Sequence, residues 1–402
     1  MSNTQKKNVP ELRFPGFEGE YSLDIFGNLA TNKSDKFNPQ NENASIDIEL
    51  DCIEQNTGRL IKIYNSKEFS SQKNKFNPQN VLYGKLRPYL NKYYFTKKSG
   101  VCSSEIWVLK STKEYKLLNL FLYYFIQTKR YSDVASKSAG SKMPRADWGL
   151  IENIRVYFPE LCEQQKIGEF FSKLDRQIEL EEQKLELLQQ QKKCYMQKIF
   201  SQELRFKDDN GNDYPEWEEK KLGELSQIVR GASPRPIKDP KWFNKESDIG
   251  WLRISDVTDQ NGKIYHLEQK LSIEGQEKTR VLLTTHLLLS IAASIGKPVM
   301  NFVKTGVHDG FLIFLNPKFN IFFMYYWLDY FKEKWSKYGQ PGSQVNLNSE
   351  IVKSQTLNMP SNHEQEKVGL FFSRNEKLIE LQQEKIMYLK RRKQALILKM
   401  FI

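Results

Sequence analysis

Apolar side chains recur at alternating four- and three-residue spacings in two long stretches of the chain, 158–203 and 358–402. In the first stretch the apolar positions are Leu174, Ile178, Leu185, Leu188, Tyr195 and Ile199, with Glu181 and Lys192 as polar interruptions. In the second they are Ile379, Ile386, Leu389, Leu396 and Met400, interrupted by Asn375, Gln382 and Lys393. Such a repeat buries one stripe of a long helix against another long helix. We therefore expect the two helices to pair with each other as an antiparallel coiled coil.

The two stretches are copies of one sequence, 201 residues apart. Pro159, Glu163, Gln164, Lys166, Gly168, Phe170, Phe171 and Ser172 recur identically as Pro360, Glu364, Gln365, Lys367, Gly369, Phe371, Phe372 and Ser373. A proline opens each copy, as is common at the start of a helix, and the residues that follow favour helix. The chain therefore contains an internal repeat, in which each of two less similar segments is followed by a long helix.

The segments that precede the helices mix strand-like and helical patterns. Ile106–Leu109 and Phe311–Leu315 are short apolar runs typical of buried strands, whereas 117–127 and 321–338 are aromatic-rich and helical in spacing. We therefore predict an α+β fold: two α/β domains separated by the two long helices, with a pseudo-two-fold internal repeat. The predicted domain ranges are 1–157, 158–203, 204–357 and 358–402.

The composition indicates a polyanionic partner. The 402 residues are 39% hydrophobic and 13% aromatic, which is enough to bury real cores, and they carry a formal net charge of +12. A basic balance favours nucleic acid as the partner. Because no apolar stretch is long enough to span a bilayer and the N-terminus lacks the apolar core of a secretion signal, we expect a cytoplasmic protein without membrane contact.

Patterns for catalysis and metal binding are missing from the sequence. The four cysteines and four histidines are dispersed, without a CxxC pair or an HExxH motif, so we expect neither disulfides nor a metal site. The sequence has no GxxxxGK[ST] or GxGxxG loop for nucleotide binding. We therefore expect a chain that is not an enzyme, with no catalytic residues and no cofactor of its own.

Candidate DNA contacts are basic, amide and hydroxyl side chains on segments rich in glycine and proline. The candidates are Lys85, Arg87, Ser141, Lys142 and Arg145 before the first helix, and Arg230, Arg235, Lys238, Lys297, Ser343, Gln344 and Asn346 before the second. Arginine and lysine hold phosphates or read guanine edges, while asparagine and glutamine read adenine. The alternative for each is a solvated surface residue, and Arg87 is equally compatible with a structural role.

Other runs also have two interpretations. The aromatic runs Leu122–Phe125 and Phe322–Trp327 have two interpretations, base stacking or core packing. Their helical spacing favours core packing. The basic run Lys390–Lys393 either grips phosphate or forms a solvated face near a helix end, where cations are favoured.

The sequence resembles the specificity subunits of type I restriction–modification systems. The resemblance rests on the repeat, on helix openings of the form Pro-x3-Glu-Gln-x-Lys-(Ile/Val)-Gly-x-Phe-Phe-Ser, and on the phrases at 81–90, 228–236, 251–256 and 294–298. It implies that each variable domain is a target recognition domain for one half of a split site in double-stranded DNA. It also implies that the helices set the spacing and dock two methyltransferase subunits, and that restriction (translocase) subunits join them. S-adenosylmethionine, ATP and magnesium would then belong to those partners.

Two functions of other classes remain open at this point. The chain is also compatible with a coiled-coil adaptor that binds only proteins, or with a transcription regulator that has two DNA-binding heads and no restriction partners. Neighbouring methyltransferase and translocase genes would favour the specificity subunit. Binding to DNA that carries a split site would exclude the adaptor.

Overall fold

The computed structural model describes residues 8–43, 45–137, 143–292, 295–338 and 347–402. The chain divides into two compact units. Unit 1 comprises the residues up to Gln183 together with Gln383–Ile402, and unit 2 comprises Lys184–Gln382. Each long helix therefore contributes one part to each unit, while the four domain ranges given above stay a prediction. Among the described residues, no helix combines the length and the apolar character needed to cross a membrane.

Unit 1 consists of two sheets, a strand pair and several helices. Its strands are β1 (Ser22–Ile25), β2 (Ala30–Thr31), β3 (Lys36–Phe37), β4 (Ile46–Ile48), β5 (Tyr64–Asn65), β6 (Lys73–Phe76), β7 (Val81–Gly84), β8 (Tyr93–Phe95), β9 (Gly100–Cys102), β10 (Ile106–Ser111) and β11 (Arg155–Phe158). Its helices are α1 (Phe26–Leu29), α2 (Asn119–Phe125), α3 (Lys129–Ala135), α4 (Trp148–Ile151) and the first part of α5 (Leu161–Phe200), with 3-10 helices at Leu50–Cys52, Ser66–Glu68 and Pro88–Leu90. The strand orders are β2-β10-β7-β8 and β3-β6-β9-β4-β5, and β1 pairs with β11.

Unit 2 repeats this plan with different details. Its strands are β12 (Glu218–Lys221), β13 (Gln227–Arg230), β14 (Gly250–Leu252), β15 (Lys263–Ile264), β16 (Arg280–Leu282), β17 (Leu287–Ser290), β18 (Pro298–Asn301), β19 (Thr305–Val307), β20 (Phe311–Leu315) and β21 (Thr356–Met359). Its helices are α6 (Leu222–Leu225), α7 (Ile254–Asp259), α8 (Ile273–Glu277), α9 (Ile321–Phe331), α10 (Ser349–Ser354) and the first part of α11 (Asn362–Met400), with 3-10 helices at Pro240–Trp242 and Lys332–Tyr338. The strand orders are β13-β20-β17-β18-β15 and β14-β19-β16, and β12 pairs with β21.

The central strands of each unit are mainly apolar, and they are covered on both faces. Successive side chains of a strand point to opposite faces. On β10, Trp107 and Leu109 join one hydrophobic cluster together with α2, whereas Ile106 and Val108 join another that includes residues of the second sheet. On β20, Leu312 and Phe314 face α9, and Phe311 and Ile313 face the opposite cluster. The predicted strands and the predicted α+β fold are thereby confirmed.

The aromatic runs belong to the hydrophobic cores. Leu122–Phe125 of α2 are all buried, and in the run Phe322–Trp327 of α9 all side chains are buried except Phe322, which is half-buried against the same core. The interpretation as core helices is therefore confirmed. The predicted helix 321–338 is helical in two parts: α9 ends at Phe331, and the 3-10 helix Lys332–Tyr338 follows it directly.

The long helices pair antiparallel within each unit. In unit 1, Glu181 of α5 pairs with Lys385 of α11 at 2.5 Å, and Asp175, six residues earlier, pairs with Lys393 at 2.6 Å. In unit 2, Lys192 pairs with Glu376 at 3.0 Å. Residue numbers therefore rise along one helix as they fall along the other, as predicted. In the run 390–393, Lys390 and Lys393 both form ion pairs with α5.

The apolar seam departs from the predicted positions near the end of α5. Tyr195 is 37% exposed, and the neighbouring Met196 is buried in its place. The equivalent change occurs in α11, where Ile397 is buried and Leu396 is half-buried. An α-helix has 3.6 residues per turn, so a strict 3.5-residue pattern drifts around its surface. Here the stripe also turns from the partner helix toward the adjoining domain core.

The identical residues of the repeat anchor each helix to its own domain. Buried Glu163 accepts hydrogen bonds from Arg13 Nε and Nη2 at 2.8 and 2.7 Å, and buried Glu364 accepts the same pair from Arg205 at 3.3 and 2.9 Å. A Cβ atom on Gly168 would lie 2.7 Å from Leu120 side-chain atoms, so the glycine permits close approach of helix and domain. The repeated motif thus has a structural role that the sequence comparison alone did not specify.

Candidate nucleic-acid interface

Lys85 and Arg87 lie on the turn after β7, which is fixed to the segment before α4. The Arg87 N–H donates to the Pro144 carbonyl at 2.7 Å, and the Ala146 N–H donates to the Lys85 carbonyl at 2.8 Å. Arg87 has a left-handed backbone, with φ of 52°. These bonds bring Arg145 beside both residues, although it is distant in sequence. The structure therefore gathers three of the predicted cations into one group, at the end of β7 and the start of β10.

The carboxylate of Glu105 orients one member of this group. Arg145 donates from Nε and Nη2 to the two carboxylate oxygens of Glu105, at 2.9 and 3.2 Å. The hydrogen bond from Arg145 outweighs the opposing effect of burial and lowers the pKa of Glu105, with a further contribution from Lys85. Arg145 remains 52% exposed, so its guanidinium is held in place and still accessible.

The predicted loop of unit 2 converges in the same way on Asp309. Arg235 Nη2 donates to Asp309 Oδ2 at 2.7 Å, and Ser233 Oγ donates to Asp309 Oδ1 at 2.8 Å. Arg230, at the end of β13, donates from Nε to the Asp309 backbone carbonyl at 2.6 Å. Arg280 Nε in turn donates to the Arg230 carbonyl at 2.8 Å. Arg235 is nevertheless 71% exposed and able to meet a ligand.

The surroundings lower the pKa of both Asp309 and His308. Burial opposes ionisation of Asp309, but the hydrogen bond from Ser233 and the charges of His308, Arg235 and Arg230 outweigh it and lower its pKa. Burial lowers the pKa of His308, and the two arginines lower it further against the opposing effect of Asp309. Near neutral pH the surface therefore combines an ionised aspartate, a neutral histidine and cationic arginines.

Lys238 and Lys297 lie apart from the Asp309 contacts. Lys238 is exposed and lines a cleft of about 580 Å³ together with Trp251, Arg253 and His308. Lys297 is half-buried and donates to the Val257 carbonyl at 3.2 Å. Burial lowers the pKa of Lys297, and the nearby charge of Lys332 adds to this shift. Within the described parts of the chain, Lys297 makes no hydrogen bond or ion pair with Asp309.

Five predicted contacts fall outside the described residues. They are Ser141, Lys142, Ser343, Gln344 and Asn346. Their assignment as DNA contacts stays a prediction from the sequence.

The two basic groups occupy equivalent places in the two units. The sheet order β2-β10-β7-β8 in unit 1 corresponds to β13-β20-β17-β18 in unit 2. The first group lies where β7 ends and β10 begins. The second lies where β17 ends and β20 begins, because the Gly231 N–H donates to the Phe311 carbonyl at 2.9 Å and the Ile291 N–H donates to the Gly310 carbonyl at 2.8 Å. Each unit therefore presents arginines at the same end of its central sheet.

Sequence reasoning missed several residues of these surfaces. Arg280, His308 and the carboxylates of Glu105 and Asp309 were not among the candidates, because nothing in their local sequence marks them. Arg253 lies in the phrase 251–256 and was not singled out, although the phrase supported the family resemblance. The carboxylates act by orienting arginines, and this function is visible only from three-dimensional distances. Within the described parts of the chain, no cluster of three or more His, Cys, Asp or Glu side chains suits a metal ion.

This arrangement of two equivalent domains and two long helices agrees with one protein family. The chain belongs to the family described as the type I restriction modification DNA specificity domain, whose sequence pattern matches residues 20–190 and 214–391. The two matches fall on the two halves of the internal repeat. The resemblance noted in the sequence is thereby confirmed, and the chain is of the specificity-subunit class.

Two specificity subunits are similar to this chain in sequence. The chain is 26% identical to the type I restriction enzyme MjaVIII specificity subunit of Methanocaldococcus jannaschii, over 72% of this chain and 71% of that protein. It is 25% identical to the type I restriction enzyme EcoDI specificity subunit of Escherichia coli, over 40% of this chain and 37% of that protein.

Solved structures show that the fold is shared along nearly the whole chain. The HsdS subunit from Thermoanaerobacter tengcongensis superimposes with a TM-score of 0.51 at 17% identity, covering 97% of each chain. The type I restriction–modification S subunit from M. genitalium gives a TM-score of 0.57 at 14% identity, covering 98% of this chain and 99% of that chain. A chain from a solved type I restriction–modification assembly gives 0.60 at 17% identity, covering 94% and 96%. At these identities the likeness concerns the fold alone.

Proposed function

We propose that this chain supplies DNA sequence specificity to a type I restriction–modification complex, with the domains 1–157 and 204–357 each reading one half of a bipartite site in double-stranded DNA. The observation that carries the proposal is the recurrence of an arginine group at the equivalent sheet end of both units. A repeat that merely stabilised the fold would not need exposed cations at both places.

The two groups are suited to contacts that require a defined orientation. Arg145 is oriented by Glu105 and Arg235 by Asp309, and both guanidinium groups remain accessible. An oriented side chain loses less conformational freedom when it binds. Such an arginine is suited to bidentate reading of guanine in the major groove. Lys85, Arg87, Arg230, Lys238 and Lys297 are proposed as the accompanying DNA contacts, together with Ser141, Lys142, Ser343, Gln344 and Asn346.

The long helices 158–203 and 358–402 are proposed as the scaffold for the partner subunits. These partners are two methyltransferase subunits and the restriction (translocase) subunits, which would act in the cytoplasm. Catalysis is assigned to those partners, and with it the binding of S-adenosylmethionine, ATP and magnesium. The chain itself is proposed to have no catalytic residues, no metal and no cofactor.

Replacement of Arg235 by alanine tests the reading function. If Arg235 reads a base edge, the variant loses about 1–3 kcal/mol of binding free energy and relaxes one position of the second half-site. The first half-site should be unaffected. The measurement is methylome mapping of cells that carry the variant and its methyltransferase, combined with fluorescence anisotropy on the mapped duplex.

Lys353→Ala is the matched control for this experiment. The Lys353 side chain is 39% exposed and is also paired with a carboxylate, Glu350. It lies beside Gly223, before β13 begins, whereas Arg230 ends that strand. Its removal should leave affinity and motif unchanged. Equal behaviour of the two variants would contradict the assignment of Arg235 as a reading residue.

A further inference from the structure

A second feature of unit 2 adjoins the arginine group and differs from it in character. It is a cleft of about 580 Å³ whose walls include the aromatic side chains of Phe243 and Trp251. Lys238, Arg253 and His308 lie among the lining residues. His308 directly precedes Asp309 in the chain, so the cleft and the Asp309 contacts share one turn of backbone.

The charged groups of the cleft are mainly hydrogen-bond donors. Arg253 binds both carboxylate oxygens of Asp256, at 2.8 and 3.2 Å, and its Nη2 lies 3.8 Å from Glu268 Oε2, so its charge is balanced by carboxylates. Lys238 is exposed and forms no ion pair within the described parts of the chain. No aspartate or glutamate occurs among the described residues that line the cleft. Among the described residues that line the cleft, Lys238 is therefore the cation without a paired carboxylate, and it lies beside apolar walls, where electrostatic interactions are stronger than in open water.

Two neighbours lie against Nδ1 of His308. The Gly310 N–H donates to it at 2.8 Å, which favours the neutral ring with its proton on Nε2, and Asp309 Oδ1 lies 3.1 Å from the same nitrogen. The ring of Trp251 packs edge-on against the imidazole, with centroids 5.6 Å apart. The lowered pKa of His308, which results from burial and from Arg235 and Arg230, keeps the ring neutral near pH 7. His308 thus offers a neutral N–H donor.

We propose that this cleft holds one phosphate of the DNA backbone beside the second half-site, with Lys238 supplying the charge and His308 Nε2–H a hydrogen bond. The inference rests on the proposed function, because it takes DNA as the ligand of unit 2. Phosphate contacts position a protein on the duplex and carry no sequence information, whereas base contacts specify the sequence. A fixed phosphate in the cleft would set the position from which Arg235 reaches a base edge.

The test is the salt dependence of DNA binding by the full-length chain. The probes are a labelled duplex that contains the methylated motif of this system and an unrelated duplex of equal length. One lost phosphate contact lowers the slope of log affinity against log salt by about 0.9, which corresponds to about fivefold in affinity near 0.15 M salt. We expect Lys238→Ala to show this change on both duplexes. Lys245→Ala removes an exposed lysine outside the cleft, and it should leave both the salt slope and the affinity unchanged.

Two substitutions of His308 distinguish two roles for this residue: a hydrogen-bond donor to the DNA, or only a support for the turn at Gly310. Glutamine can place an amide N–H near the Nε2 position, whereas asparagine can place only an acceptor near Nδ1. We expect His308→Gln to keep most of the affinity. We expect His308→Asn to lose several-fold, with an unchanged salt slope because a neutral group is removed. The reverse order would show that the histidine only supports the Gly310 turn, and would overturn its part in the proposal.

A neutral methylphosphonate introduced at each phosphate in turn locates the contact. At one position it should abolish the difference between the wild-type chain and Lys238→Ala. An unchanged salt slope for Lys238→Ala overturns the phosphate assignment, and a loss confined to the motif duplex would show a base contact instead. A wild-type chain that binds neither duplex would mean failure of the proposed function itself, which is a distinct outcome.

Discussion

Glu376 is the acidic centre of a cluster that joins α5, α11 and the sheet domain of unit 2. Its carboxylate accepts from Lys192 Nζ at 3.0 Å and from the Tyr326 hydroxyl at 2.7 Å, and it forms a second ion pair with Lys263. The glutamate is 11% exposed and the two lysines are 15% and 14% exposed. Glu376→Gln would leave both cations without a counter-charge in a nearly dry site.

The expected loss follows from these contacts. Breaking a buried ion pair by removing one partner costs about 3–5 kcal/mol. Glutamine keeps the hydrogen bond from Tyr326 and accepts one from a lysine, and the lysines retain slight access to water. We therefore expect Glu376→Gln to lower the free energy of unfolding of unit 2 by about 2–4 kcal/mol at pH 7.

The pH dependence gives an independent check. Burial would raise the pKa of Glu376, but the charges of Lys192 and Lys263 and the hydrogen bonds outweigh it and lower the pKa from its ordinary value of 4.5. A carboxylate with a depressed folded pKa stabilises the protein fully above its unfolded pKa and loses that stabilisation as the pH falls through the folded value. The difference between wild type and Glu376→Gln should therefore be largest near pH 7 and shrink below pH 4.5.

The assay is urea denaturation at several pH values, with hydrogen exchange detected by mass spectrometry to assign the loss to unit 2. The control is Asp175→Asn, at the equivalent repeat position in unit 1. Asp175 is 25% exposed and pairs with one lysine, Lys393, so a smaller loss is expected there. An equal loss in both variants, or a loss for Glu376→Gln that does not change between pH 7 and pH 3, would refute this reasoning.

Three further predictions follow from the repeat and its anchors. Exchange of 204–357 for the equivalent part of a related chain should alter one half of the methylated motif, and a change in both halves would show that the domains do not read independently. The purified chain should neither methylate nor cleave DNA, and adding its methyltransferase should produce methylation at a split site; cofactor-dependent activity of the pure chain would contradict this. Arg205→Ala should destabilise the start of α11 by about 3 kcal/mol, because buried Glu364 would lose its cation; unchanged amide exchange in 362–370 would argue against that anchor.

The sequence by itself was sufficient for the elements whose signals are local or periodic. The heptad-like spacing predicted α5 and α11, the short apolar runs predicted β10 and β20, and the identical motif predicted the internal repeat. These features depend on residues that are near one another in the chain, or on a match between two copies of the same pattern. The exception was the end of each seam, where Met196 and Ile397 replace the predicted neighbours because the stripe turns toward the domain core.

The tertiary structure decided which residues act together at the candidate interface. Arg235 and Asp309 are separated by 74 residues, and Arg145 and Glu105 by 40 residues. The same holds for the anchors, since Arg205 and Glu364 are separated by 159 residues. Each of these contacts forms only after strands and helices from distant parts of the chain have packed. A charged side chain carries no local mark of its partner, because that partner is chosen by the geometry of the folded backbone.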